Sequence, residues 1–149
     1  MEKPLAEGDR PKIVINSDKL RGGDTLRIEI QSPSQISYLY IAYIQADGSV
    51  VNLAQPKGLV PQPTLPRSTL IFGDGVAGRA KFTVTPPFGQ ELIIALASRS
   101  PLFDGELPAQ QTEREFLSAL RRALLYKASP DMPDRELSAA ITTLQTQAR

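Results

Sequence analysis

Two stretches of this chain are apolar at odd and even positions alike, and they constrain the fold more than anything else in it. In Ser37 to Gln45, Leu39, Ile41 and Tyr43 project to one side, and Tyr38, Tyr40, Ala42 and Ile44 to the other. In Glu91 to Ser98, the run Leu92-Ile93-Ile94-Ala95-Leu96-Ala97 has no wet face at all. Each run is bounded by turn residues: Ser32-Pro33-Ser34 and Asp47-Gly48 around the first, Pro86-Pro87-Phe88-Gly89 before the second. Short apolar runs so bounded are strands, and a strand without alternation lies in the middle of a sheet with both faces covered. The chain must therefore build at least one sheet and place material on each side of it.

The remaining elements of the first two thirds fit that demand. Ile13-Val14-Ile15 within Pro11 to Asn16 is a β-branched run. After a turn at Gly22-Gly23-Asp24, Thr25 to Gln31 alternates Leu26, Ile28 and Ile30 with Arg27, Glu29 and Gln31, which predicts a half-buried strand. Asp47-Gly48 suits the positive φ angles of a tight hairpin, with Val50-Val51-Asn52-Leu53 as the returning strand. Gln55 to Arg67 holds Pro56, Pro61, Pro63 and Pro66, and is expected to be a long surface crossover. Ser68 to Phe72 and Ala80 to Thr85 are two further predicted strands, the second alternating Ala80, Phe82 and Val84 with Lys81, Thr83 and Thr85.

The pattern changes at Thr112. Thr112-Glu113-Arg114-Glu115 fits a capping box. Phe116, Leu117, Leu120, Ala123 and Leu124 then recur at helical spacing, which predicts one amphipathic helix over about 113–127, closed by Ser129-Pro130 and docked on a sheet face. Residues 136–147 fit a helix through Leu137, Ile141 and Leu144, but Ile141-Thr142-Thr143 and the lack of a Gly stop favour a strand. The polar opening Met1 to Gly8 lacks the apolar core of a signal peptide, and 1–10 is expected to be a flexible lead-in. The expected architecture is mainly β (α+β): a single immunoglobulin-like or related β-sandwich of about seven to eight strands over 11–149, with one helix near the C-terminus.

Composition narrows the chemistry. With no Cys and no His, the chain has no disulfide, thiolate or imidazole site and no Ser-His-Asp or Cys-His relay. A net charge of +1 gives no general attraction to nucleic acid or to an anionic membrane surface, and no run approaches the roughly 18 apolar residues of a spanning helix. Gly73-Asp74-Gly75-Val76-Ala77-Gly78 matches a dinucleotide-binding glycine pattern, but a strand-like alternation ending in Pro86-Pro87 follows where a helix is needed, so a glycine-rich turn is expected. Asp47, Asp74 and Asp104 each precede a glycine, as turn residues do. No catalytic residue, cofactor site or metal site is expected.

Several of these segments together resemble a bacterial domain of unknown function found towards the C-terminus of caspase-like peptidases, serine/threonine kinases and envelope proteins. They are Gly23-Asp24-Thr25-Leu26, Ser37 to Ile41 running through Ala46-Asp47-Gly48-Ser49-Val50, Leu53 with Pro56, Pro86 to Ser98, and Pro101-Leu102-Phe103. The resemblance covers about residues 10–105 and is expected to take in the helix as well; the Pro-rich 55–67 segment departs from it. It implies a β-rich accessory module whose catalytic partner lies elsewhere in the parent protein, and it implies no catalytic residues.

The expected role is therefore a non-enzymatic, protein-interacting accessory domain, with a partner protein or the parent's own catalytic domain as its target. The alternative is a sandwich that binds carbohydrate or peptidoglycan through its tyrosines and the 55–67 loop. The candidate surface is Tyr38 and Tyr40 together with Leu59, Val60 and Leu65. No nucleic-acid binding and no membrane insertion are expected. Zero Cys is compatible with an oxidising compartment, and a periplasmic or envelope location is favoured over the cytoplasm.

Overall fold

A computed structural model describes residues 9–127 and 137–149. Among these residues it forms a β-sandwich of nine strands with a single helix. The strands are β1 (Lys12–Ile15), β2 (Lys19–Arg21), β3 (Ile28–Gln31), β4 (Tyr38–Ile44), β5 (Ser49–Ala54), β6 (Thr69–Phe72), β7 (Gln90–Ser98), β8 (Gln110–Thr112) and β9 (Leu137–Gln147). The helix, α1 (Glu113–Lys127), lies between β8 and β9 in the chain. One sheet has the order β1-β3-β6 and the other β2-β9-β7-β4-β5-β8.

The two strands without a wet face, β4 and β7, pair with each other at the centre of the larger sheet, from Tyr38 opposite Ser98 to Ile44 opposite Leu92. Their two faces feed two cores. Leu39, Ile41, Tyr43, Ile93 and Ala95 pack between the sheets against Ile28 and Ile30 of the smaller one and against Leu26, which precedes β3. Tyr40, Ala42, Ile44, Ile94 and Leu96 pack on the outer side, beneath Phe116 and Ala123 of α1. Each fully buried Ile or Leu contributes roughly 1.5–3 kcal/mol over its exposed state, so this two-sided burial is what places β4 and β7 centrally.

Local signals account for the connections. Gly48 adopts φ +85°, and the Gln45 amide donates to the Ser49 carbonyl at 2.8 Å to close the β4–β5 hairpin. The capping box forms: the Glu115 amide donates to Thr112 Oγ1 and the Thr112 amide to Glu115 Oε1, both at 3.1 Å. The strand expected at 136–147 is β9, which runs antiparallel to β7 along nine pairs from Leu137–Ser98 to Gln145–Gln90.

Two expectations need correction, and two short strands add to the expected set. Ala80 to Thr85 is extended but is no ladder strand, because its partners are turn residues on two sides. Phe82 donates to the Gly73 carbonyl and accepts from Leu26, and Val84 donates to Asp24 and accepts from Gly23, so each partner supplies one isolated bridge. The short strands β2 and β8, too brief to show a period, form where longer neighbours template them. The helix buries a narrower stripe than its spacing suggests: Phe116 and Ala123 are buried, whereas Leu117 and Leu124 face solvent, because only one line of side chains reaches the sheet. The expected lead-in and the helix stop at Ser129-Pro130 fall on 1–8 and 128–136, outside the described residues; Asp9, just inside, accepts a bond from Ser34.

Candidate functional site

The surface with the most recognition chemistry is assembled after β7. Leu102 is buried, and its amide donates to Tyr40 Oη at 2.9 Å. Phe103 packs edge-on against the Tyr40 ring at 5.1 Å. The chain is then tied to β5 and the segment following it. Gln55 exchanges two hydrogen bonds with the Leu107 backbone, at 2.7 and 2.8 Å, and Asn52 Nδ2 donates to the Pro108 carbonyl at 2.8 Å. Short β8 and the capping box then turn the chain into α1. The result is a groove of about 410 Å³, with Leu102, Phe103, Asp104, Glu106 and Leu107 on one side and Ala119, Arg122 and Ala123 of the helix on the other. Its lining is divided about equally between polar and apolar surface, and its charges are two carboxylates and one guanidinium.

The Pro-rich crossover joins this groove. The Gly58 amide donates to Glu106 Oε1 at 2.9 Å, which ties the crossover to the groove's acidic rim. The next two residues, Leu59 and Val60, are fully exposed and 74% exposed. Leu59 is the most exposed of the large apolar side chains among the described residues, and Val60 beside it extends the apolar surface it offers. Leu65, also exposed, belongs to the far end of the crossover, where its carbonyl accepts from Ser32 Oγ and Ser68 Oγ.

The tyrosines do not form an exposed platform. Tyr40 is buried, so it leaves the expected surface; its ring is the floor on which Leu102 and Phe103 rest. Burial pushes its phenol above the usual range, against the lowering effect of the Leu102 amide. Tyr38 is half-buried, packed beside the outer core. Tyr43, buried between the sheets, donates to Glu91 Oε1 at 2.5 Å, while Glu91 Oε2 accepts from the Ala46 amide at 3.0 Å. Burial first, and then the Glu91 carboxylate, drive the Tyr43 phenol far above its ordinary value. Both oxygens of that buried carboxylate are thus committed to structure. A second, smaller cleft of about 240 Å³ opens beside Tyr43, lined by Gln45, Leu53, Lys81, Phe82 and Thr83.

The glycine pattern at 73–78 is a turn. Gly73, Gly75 and Gly78 have positive φ, as does Ala77. Asp74 accepts from the Val76 amide and, through both oxygens, from the Arg79 guanidinium at 2.8 Å. That hydrogen-bonded guanidinium holds the Asp74 carboxyl well below its usual range. Asp47 is likewise lowered by bonds from Ser49, so its role is local turn geometry. Among the described residues no three His, Cys, Asp or Glu side chains come together as a metal site would require, and no helix is long and apolar enough to cross a membrane.

Of the five surface residues expected from the sequence, Leu59 and Val60 are exposed on the crossover that Gly58 ties to Glu106, Tyr40 is buried beneath Leu102 and Phe103, Tyr38 is half-buried and Leu65 is exposed at the crossover's far end. The groove's own residues carry no site signal in the sequence: Leu102 and Phe103 enter only through the family resemblance, Asp104 as a turn residue and Ala123 through the helical spacing. Asp104-Gly105 set between the apolar Leu102-Phe103 and Leu107 marks a turn within this loop.

A family model described as a domain of unknown function (DUF4384) matches residues 19–101. The matched stretch runs from β2 through β7, so the 102–107 loop, α1 and β9 follow it in the chain. No curated protein and no solved structure matches the chain.

Proposed function

The chain belongs to the family of domains of unknown function described as DUF4384, and from that premise we propose that it is a non-enzymatic accessory domain of a larger bacterial protein. Its task is to hold a protein segment, from a partner or from the parent's own catalytic domain, in the groove between α1 and the 102–107 loop. One observation carries this reading: the Gly58–Glu106 hydrogen bond ties the crossover bearing the exposed Leu59 and Val60 to a residue lining a groove of mixed polar and apolar surface. Exposed apolar side chains next to polar, charged surface are features of protein interfaces, in which a few anchors carry most of the affinity. The burial of Tyr40 and Tyr43 supports this reading over the glycan-binding alternative, which needs aromatic faces open to a sugar ring.

A photo-reactive amino acid placed at position 59, with a second at Val14 on β1 as the control surface, tests the proposal in cells. The expected result is a specific adduct from position 59 alone. The identified protein, once purified, should bind the wild-type domain and lose at least tenfold in affinity for Leu59→Asp and Val60→Asp. Both variants should melt with the wild type, since neither side chain is in the core. Equal binding by the Asp variants would remove the groove from consideration. Binding to peptidoglycan fragments that survives in those variants would favour the glycan alternative.

A further inference from the structure

The larger sheet has an unfinished edge. β9 is covered on one side by β7 along its length, but on the other side β2 pairs only with Gln145–Gln147. Among the described residues nothing pairs with β9 from Leu137 to Leu144 on that side. The direction of the backbone groups is known from the paired end. The Gln145 amide donates to Asp18 and the Gln147 carbonyl accepts from Gly22, both on the β2 side, whereas the Thr146 amide donates to Gly89 on the β7 side. Amide and carbonyl of one strand residue point the same way and alternate along the strand. Ala139, Ile141 and Thr143 therefore direct their N–H and C=O groups into the open edge.

Edges of this kind are normally blunted by charge, proline, a bulge or brevity. β9 has none of these. Its eleven residues, LSAAITTLQTQ, include no charged residue, no Pro and no Gly, and its pairing with β7 is unbroken. Ile141, in the middle of the open stretch, is 63% exposed on the face that also presents Ala139 and Thr143.

We propose that this edge joins a second copy of the chain, β9 against β9, antiparallel about a two-fold axis through Ile141. The outward groups are spaced symmetrically about that residue. Ile141 meets its own copy, Ala139 meets Thr143 of the other chain, and each opposed pair exchanges two hydrogen bonds. The side chains brought together are Ile141 with Ile141 and Ala139 with Thr143, all uncharged, so the strand carries no like-charge penalty against itself. A net charge of +1 leaves little long-range repulsion between copies. The contact is isologous and closes at two, because each chain has one such stretch among the described residues, and it merges two six-stranded sheets into one.

Sedimentation velocity over the micromolar to submillimolar range tests this, paired with residue-resolved amide exchange. A dimer fraction that rises with concentration is expected. The amides of Ala139, Ile141 and Thr143 should exchange freely in dilute protein and gain protection in step with dimerisation, while those of Ala140, Thr142 and Leu144, bonded to β7, stay protected throughout. Ile141→Lys and Ile141→Glu, at a side chain already in solvent, should each be monomeric with an unchanged melting temperature. Mixing the two should restore a dimer, since Lys then faces Glu across the axis. A chain that stays monomeric throughout overturns the proposal and leaves the edge to a strand from a different protein. A dimer that survives Ile141→Lys overturns it by placing the contact elsewhere.

Discussion

Phe116 is the side chain on which the groove's helical wall depends, and its removal gives the sharpest stability prediction. It is 1% exposed and packs in the outer core with Tyr40, Ile44, Val50 and Leu96. Truncation to alanine forfeits about 2 kcal/mol of transfer free energy for the ring, and a void of roughly 100 Å³ at about 24 cal/mol per Å³ adds a further 2 kcal/mol, so Phe116→Ala should cost about 3–5 kcal/mol after partial relaxation. For a chain of 149 residues that corresponds to a fall in Tm of about 8–16 °C. Leu117, one residue on but 46% exposed, supplies the control, and Leu117→Ala should cost less than about 1 kcal/mol. Urea unfolding followed by circular dichroism measures both. Native-state amide exchange adds a finer readout: if the helix leaves the sheet as a unit, its amides lose protection before those of β4 and β7. A Phe116→Ala variant within about 1 kcal/mol of Leu117→Ala would refute the claim that this ring anchors the helix.

Three further outcomes follow from the same packing and electrostatics. Gly73→Ala should be much worse than Gly78→Ala, although both residues have positive φ. A Cβ at 73 lies 2.2 Å from the Leu26 carbonyl oxygen and 2.5 Å from Phe82, whereas one at 78 meets nothing within 4 Å. The expected costs are about 2–5 and about 1–2 kcal/mol, measured by chemical denaturation, and equal costs would contradict the close approach. Asp74 has a folded-state pKa below its unfolded one, so its pairing with Arg79 stabilises the protein above the ordinary carboxyl range and loses that effect as pH falls. The Tm gap between wild type and Asp74→Asn should therefore shrink progressively below about pH 4, and a gap constant with pH would contradict the pairing. Thr112→Ala should cost about 1 kcal/mol by removing the acceptor for the Glu115 amide, and scanning calorimetry of the variant checks it.

Much of the fold was legible because it is written in short-range terms. Period-two alternation, the Asp47-Gly48 turn and the Thr112–Glu115 capping box depend on residues within a few positions of one another. The two-faced runs of β4 and β7 read correctly as central because burial on both sides leaves no position free for a polar residue. β2 and β8, at three residues each, are too short to carry any period. The alternation of Ala80 to Thr85 was real, yet its hydrogen bonds go to two different turns, and alternation says nothing about what stands opposite.

The candidate surfaces were far less legible, and the reason is sequence distance. Tyr40 belongs to a strand that reads as covered on both faces, but only the structure shows that Leu102, 62 residues on, is what closes over its hydroxyl. Leu59 and Val60 read only as apolar residues on a loop until Gly58 meets Glu106, 48 positions away. The open edge of β9 exists because β2, more than a hundred residues earlier, covers three of its residues and stops. Local sequence dictates the backbone conformation a segment prefers and the side that is apolar, since those follow from sterics and period. Which apolar faces become buried, and which remain as grooves and edges for others to use, depends on what packs against them. That was settled only when distant segments met.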